Sequence, residues 1–521
     1  MRPELWQPPV ELSAQEQVIV RLVRRAKLFV FLRRVRHLLF DERFQEELAG
    51  MYKDSACGQP PLPPAQLAMA TILQAYCGVS DDEVIEATVM DRRWQLVLDC
   101  LDCQEAPFSK GTLVGFRKRL IEAGMDRRLI ERTVELASRE KGFGERQLRA
   151  ALDSSPLWGA GRVEDTHNLM GHALRKAMSV IARQQGWGLV DTAGQAGAEV
   201  VAGSSLKAAL DLDWDDNEQR HRGLTLVLAA LDNLERWLAA HPESHEDGRV
   251  IAYLDTAKQV RKQDVEWDET GAAKLRVGVA PDRRVSVEDG EIRHGRKSRS
   301  QRFCGYKRHI LRDLDSGLVR AVALTAANVP EAQATDAVAQ DLASQDVTLV
   351  ELAIDRAYLT SRLVRERPQG LEITCKAWPV RNGTRFPKTA FHMDWQGGVL
   401  TCPGQITMPF EPGGVVHYPK AGCAACSLHN ACTTSTSGRS VTIHPDEALL
   451  CELRQRQLTA VGRQKLRERV AVEHSLAHMG RIQGDRARYV GTRKNLFDLR
   501  RAAVVHNLHY LSHDSQLLVA A

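Results

Sequence analysis

Between residues 301 and 378 the apolar residues stop recurring every three or four positions and fall into short runs separated by turn formers. "FCGYKRHILRDLDSGLVRAVALTAANV" (303–329) reads as two strands joined at "DLDSG", since apolar runs broken by Asp, Ser and Gly mark a hairpin. "PEAQATDAVAQDLASQ" (330–345) has helical spacing with Pro at its start. "VTLVELAID" (347–355) is a further strand, "LTSRLVRERPQG" (359–370) a helix and "LEITCKAW" (371–378) another strand. Upstream, "QLRAALDSSPLWGAGR" (147–162) holds a short apolar run that ends in Asp153 before Ser, Pro and Gly punctuation. A strand near 150, two strands, helix, strand, helix, strand leaves few architectures open. The fold class is α/β, a mixed sheet flanked by helices.

Two of these apolar runs finish on a carboxylate, Asp153 and Asp355. An acid at such a place often caps the next helix. If the two strands are neighbours, however, their carboxylates lie side by side and repel, which a divalent cation between them relieves. Mg²⁺ suits hard oxygen donors. A third acid, Glu473, lies in "RQKLRERVAVEHSLAHMGRI" (463–482), close to an apolar stripe of Leu466, Val470, Val472, Leu476 and Met479. Arg469 precedes it by one helical turn, within reach of it or of a phosphate. Asp165, Asp255 and Asp313 are competing acids, expected to cap helices and form turns.

Residues 14–140 have helical spacing, with Pro63 and Pro64 placed to open a helix, Gly78 to close it and "SDDEV" (80–84) to cap the next. "FSKGTLVGFRKRLIEAG" (108–124) offers Ser109 or Thr112 as a cap and a basic helix with Arg117, Lys118 and Arg119, a pattern that suits a DNA groove. Residues 165–242 return to helical spacing, and 243–300 are polar and charged. At 521 residues the chain is too long for one ordinary core, and 43% hydrophobic with 26% charged residues describes a soluble globular protein. The net charge of +5 is unevenly spread: "RHGRKSRSQRFCGYKRHILR" (293–312) has no acid, and 480–501 is rich in Arg and Lys. Such stripes suit a polyanion. Lys307, Arg308 and His309 are expected to approach a DNA backbone from a strand beside Asp153.

The apolar runs at 26–40 and 224–234 are broken or too short to span a membrane, and the first residues lack the apolar centre of a signal peptide. Eleven cysteines without an export signal favour reduced thiols and a cytoplasmic location. Four of them, Cys402, Cys423, Cys426 and Cys432, form a C-x₂-C pair with one cysteine on either side, a set able to surround structural Zn²⁺. His417 and His429 are possible substitutes in that set, and "CLDC" (100–103) is expected to be helix packing.

Taken together, these stretches resemble the DDE transposases of bacterial insertion sequences. "GQPPLPPAQLAMATILQAYCGVSDDEVIEA" with "FSKGTLVGFRKRL" is similar to the helical N-terminal domain of one branch, and "ALDSSPLWGAGRVEDTHNL" to the segment with the first Asp. "FCGYKRHILRDLDSGLVRAVALTAANVPEA" with "LAIDRAYL" resembles the hairpin and second-Asp strand, and "RERVAVEHSLAHMGRIQG" with "RRAAVVHNLHYL" the segment of the Glu and the closing helix. The resemblance implies an RNase H-like sheet in which Asp153, Asp355 and Glu473 clamp two Mg²⁺ for cleavage and strand transfer of DNA, by a protein acting as a homodimer. Arg117, Lys118, Arg119, Lys307, Arg308, His309, Arg469 and Arg481 are the expected DNA contacts. Where the family often has Tyr and Lys around its Glu, this chain has Leu466 and Gly480, with Arg481 beside the latter.

A DNA-binding relative without activity and a nuclease of the same fold are the alternatives. The implied division is 1–145 helical DNA-binding or assembly domain, 146–164 first core strand, 165–250 helical insertion, 251–300 linker, 301–395 core continued, 396–445 Cys-rich insertion and 446–521 C-terminal helices.

Overall fold

The computed structural model describes residues 2–54, 60–141 and 147–514. The expected boundary at 145–146 lies outside the described residues. The N-terminal part is helical, and its main elements are α1 (Lys27–Leu39), α2 (Pro64–Cys77), α3 (Lys110–Glu122) and α4 (Met125–Lys141). Pro64 opens α2, and Gly78, at φ +72°, closes it in the left-handed conformation that glycine tolerates best. Ser80 and Glu83 form a reciprocal capping box on the following helix, and the Ser109 hydroxyl accepts from the Thr112 N–H to cap α3.

The sheet contains β1 (Gln147–Trp158), β2 (Arg293–Arg296), β3 (Arg302–Asp313), β4 (Val319–Ala326), β5 (Thr348–Ile354) and β6 (Glu372–Thr374). In space the order is β4–β3–β1–β5–β6, with β2 pairing the start of β3. β1 is antiparallel to β3 and parallel to β5, and β6 continues parallel outside β5. This is the α/β mixed sheet that the strand order implies, in the RNase H-like arrangement that the resemblance implies. Asp313 builds the β3–β4 turn by accepting from the N–H groups of Asp315 and Ser316. Asp165 caps the helix after β1, whereas Asp255 lies on the exposed face of a helix and caps nothing.

One expectation changes here: β1 does not stop at Asp153 but runs five residues further, paired with β3 from Ala150↔Asp313 to Trp158↔Gly305. The pairing with β5 ends at Leu152↔Ile354, so one edge of β1 carries no strand partner from Asp153 to Leu157, until Trp158 bridges to Arg486. Pro156, which lacks a ladder N–H, is tolerated on such an edge.

Side chains alternate across the sheet. Ala150 and Leu152 belong to a core shared with β5, with α8 (Ala334–Ala343) and with Leu449, Leu450 and Leu453. Ala151, Leu157 and Ala353 face the other way, into a core formed with α9 (Val470–Gln483) and α10 (Thr492–Asp514). That second core continues through Phe31, Phe44, Ile72 and Leu120 of the N-terminal helices, so the helical part and one sheet face share one apolar interior.

The insertion after β1 has its own core, built on α5 (Thr166–Gln185), α6 (Asn217–Ala240) and α7 (Gly248–Asp264). α7 crosses the expected boundary at 250, because Val250, Leu254, Ala257 and Val260 form a helical apolar face packed in that core. The Cys-rich segment has a small core of Phe391, Leu400, Phe410, Val416, Tyr418, Val441 and Ile443.

Candidate active site

Asp153 stands one residue beyond the last β1–β5 pair, Leu152↔Ile354, and Asp355 one residue beyond Ile354. Parallel register therefore brings the two carboxylates side by side on the face that α9 covers, the same face as Ala151 and Ala353. Asp355 also does the humbler work of a strand-end acid, accepting from the Arg356 N–H at 2.7 Å and capping one turn of 3₁₀ helix. Glu473 lies in the first turn of α9, beside the buried Val472, Leu476 and Met479 that seat this helix on the sheet. The stripe read across 466–479 is interrupted at Arg469, where one helix ends and α9 begins, and Val470 is exposed.

Arg469 links the acids. Its guanidinium donates to Asp153 Oδ2 at 2.9 Å and to Glu473 Oε1 at 3.0 Å. Asp153 Oδ1 accepts from the Ser154 N–H at 2.8 Å. Burial raises the Asp153 pKa above the usual carboxylate range, and the charge of Asp355 adds to this against the opposing pull of Arg469. The three acids line one cleft of about 680 Å³, together with Lys307, Arg308, Tyr358, Arg481 and the basic pair Arg296 and Lys297. They are not within 4.8 Å of one another as a set. Three hard oxygen donors beside one guanidinium form a donor set suited to Mg²⁺, with Arg469 now supplying the positive charge between Asp153 and Glu473.

The expected DNA contacts divide. Arg469 and Arg481 line the cleft, and Lys118 and Arg119 are exposed on α3. Arg117 is buried instead, donating to Asp81 and to Gln74, so it fastens α3 to α2 and the helix after it. His309 is fully buried between the Tyr358 hydroxyl at 2.8 Å and Thr325 Oγ1 at 3.0 Å, and burial pushes its pKa down to about 3. It therefore offers nothing to a DNA backbone, which corrects the expectation for that residue. The reason is register: in a central strand alternate residues face packed elements rather than solvent. Lys307 and Arg308 are nearly buried too, Lys307 on the Val329 carbonyl and Glu331, Arg308 on Ser155, Gln483 and Gly484.

The basic stretch at 293–312 does expose charge, but at the β2–β3 tip, through Arg296, Lys297, Arg299 and Arg302. The sequence signal for those residues was the Ser- and Arg-rich turn "GRKSRSQR" rather than the strand after it. Tyr358, which orders His309 and borders the cleft, was missed as well; its place three residues after Asp355 in the same 3₁₀ turn was the available clue. At Gly480 a Cβ would come within 3.3 Å of the Arg308 guanidinium. A side chain at 480 would therefore require the Arg308 guanidinium to give by a few tenths of an ångström.

Cys402, Cys423, Cys426 and Cys432 all line one small cavity, with His429 at its wall and His417 outside it. Three of the sulfurs accept backbone N–H groups: Cys402 from Ile406, Cys426 from Leu428 and Cys423 from Arg439. A Cβ at Gly404 would lie 2.9 Å from Cys426 Sγ and 3.7 Å from Cys402 Sγ, so the glycine keeps the cradle open. No three of these groups come within 4.8 Å of one another, yet four thiols around one cavity, three of them with sulfur lone pairs steered by N–H donors, are a donor set that fits Zn²⁺.

Comparison with known families finds matches in three stretches of the chain. Residues 20–119 match a family model described as "Transposase domain (DUF772)". Residues 264–385, which include β3 to β6 and Asp355, match one described as "Transposase DDE domain", and residues 411–512, which include Glu473, match a second model of that description. No curated protein and no solved structure matches the chain.

Proposed function

We propose, from the premise that this chain belongs to the DDE transposases of insertion sequences, that its cleft cuts the ends of such an element and joins them to target DNA. The observation that carries the reading is the placement of Asp153 and Asp355 at matching positions on parallel neighbours, with Glu473 tied to Asp153 through Arg469. Asp153, Asp355 and Glu473 would hold two Mg²⁺, which supply Lewis-acid activation of the attacking oxygen and charge neutralisation at the leaving one. The protein's own part is to gather these carboxylates on a rigid strand pair and helix, where their mutual repulsion favours taking up cations.

Arg469 then has a second task. Its guanidinium would also serve a DNA phosphate, for which its planar fork is suited. Arg481 and the exposed tip residues Arg296, Lys297, Arg299 and Arg302 give the cleft a basic margin that holds the backbone without reading bases. Lys118 and Arg119 are placed to add contacts from α3. The four cysteines would hold a structural Zn²⁺, which would stiffen a segment whose own core is small. Acting on two DNA ends calls for two copies of the chain.

The test uses duplex oligonucleotides carrying the terminal inverted repeats that flank the gene. With Mg²⁺, cleaved and joined products are expected, and Asp355→Asn is expected to bind the same duplex without cutting it. Binding with no cleavage by the unaltered chain would leave a DNA-binding protein, and cleavage without joining a nuclease. Undiminished cutting by Asp355→Asn would remove the proposed site altogether.

A further inference from the structure

Away from the cleft, the described residues bring Glu164, His172 and Glu288 together, with one ligand atom from each within 4.8 Å of the others. Glu164 lies in the segment by which the chain leaves β1, and His172 sits in the second turn of α5. Glu288 lies in the segment by which the chain returns from the insertion to β2. The outgoing and returning segments are already in register: the Glu164 N–H donates to the Val285 carbonyl at 3.1 Å. Gly161 presses so closely on Ser286 and Asp289 that a Cβ there would meet Ser286 Oγ at 2.5 Å.

The side chains close this junction on one imidazole. His172 Nδ1 is 2.7 Å from Glu164 Oε2, and His172 Nε2 is 3.3 Å from Glu288 Oε1. The Glu164 side chain is only 4% exposed, and its other cation, Arg162, stands 3.4 Å away with 59% of its side chain in solvent. A neutral imidazole has one N–H and one lone pair, so it can satisfy one of these carboxylates but turns a lone pair on the other. The junction, buried at Glu164 and open to solvent at Glu288, is short of one positive charge.

The geometry points to a divalent-cation site formed by Glu164, His172 and Glu288, which pins the helical insertion to the sheet where the chain leaves and returns. One imidazole nitrogen and two carboxylates suit a Mn²⁺- or Zn²⁺-like ion, with water completing the coordination. The site is separate from the cleft acids and from the cysteines, and its chemistry does not depend on what the cleft does.

Mn²⁺ is the probe, because thiolates bind it poorly and the cysteine cluster will not contribute. The full chain carrying Asp153→Asn and Asp355→Asn, which weakens the cleft, is titrated with Mn²⁺ by electron paramagnetic resonance, and its melting temperature is followed with and without the ion. One bound equivalent and a Mn²⁺-dependent rise in melting temperature are expected. Both should vanish when Glu288→Gln is added, and also with His172→Gln. Glu288 is 35% exposed, so its replacement leaves a folded chain even if the histidine variant does not fold. The assignment is overturned if the parent holds no Mn²⁺ and melts unchanged. It is equally overturned if Glu288→Gln retains the full equivalent.

Discussion

Asp153 keeps 16% of its side chain in contact with solvent, and the guanidinium of Arg469 faces it. Burial raises its pKa, so the folded chain binds this proton more tightly than the unfolded chain does. Stability from this group is fully present below the ordinary Asp range and is lost as pH rises through the raised value. At neutral pH the ionised carboxylate is therefore a burden that the fold carries for the sake of the site. Asp153→Asn should abolish DNA cleavage and, in EDTA, raise the melting temperature at pH 7.5, because the amide oxygen still accepts from Arg469; calorimetry checks it. Arg469→Ala should destabilise the EDTA-treated protein by about 1–2 kcal/mol, less than a fully buried pair would lose, and Mg²⁺ should shrink that loss. At this scale the acids were legible because a carboxylate ending an apolar run is conspicuous. The basic contacts were not. Arg and Lys look alike in a sequence whether they snorkel outward or fill a packed interior, so His309 and Arg117 were placed on the DNA side when burial keeps them inside.

Elements were easier to find than to bound. The β3–β4 hairpin, the helix caps at Ser80 and Ser109 and the Pro64 start all follow from local chemistry, which acts over a few residues. The end of β1 did not, since its last five residues are held by pairing with β3, a contact that a local reading cannot see. α3 shows how such an error becomes testable. Arg117→Ala removes the buried partner of Asp81 and should cost about 2–3 kcal/mol in denaturant unfolding, while DNA affinity per folded molecule stays unchanged. Lys118→Ala with Arg119→Ala should do the reverse, weakening DNA binding with little change in stability. In the Cys-rich segment, Cys426→Ser should lower zinc content measured by mass spectrometry and expose 391–443 to proteolysis before the rest of the chain. In the β3–β4 turn, Gly317 has φ +77° and a Cβ there would strike the Tyr510 ring at 2.5 Å, so backbone and packing both demand glycine.

Taken whole, the molecule buries neutral imidazoles. Burial pushes His309 down to about 3 and lowers His478 and His506, whose rings face each other across α9 and α10. Unfolded histidines take up protons near pH 6.5 while these do not, so stability is present above that value and falls on acidification, by about 1.4 kcal/mol per pH unit for each such group. The melting temperature should drop steeply between pH 6.5 and 5, and His309→Gln should flatten that slope. The architecture as a layered α/β molecule was readable because the order of strands and helices leaves few ways to stack them. The single interior shared by the first helices and one sheet face was not, because nothing local says which partner covers an amphipathic helix. That shared interior has a temporal side. Phe497, Val504 and Leu508 of α10 complete the surface on which Phe31, Ile72 and Ile310 rest. During synthesis the earlier helices must wait, partly uncovered, until residues 492–514 leave the ribosome. A nascent or prematurely terminated chain is thereby kept from a finished cleft, which is assembled only once the message has been read to α10.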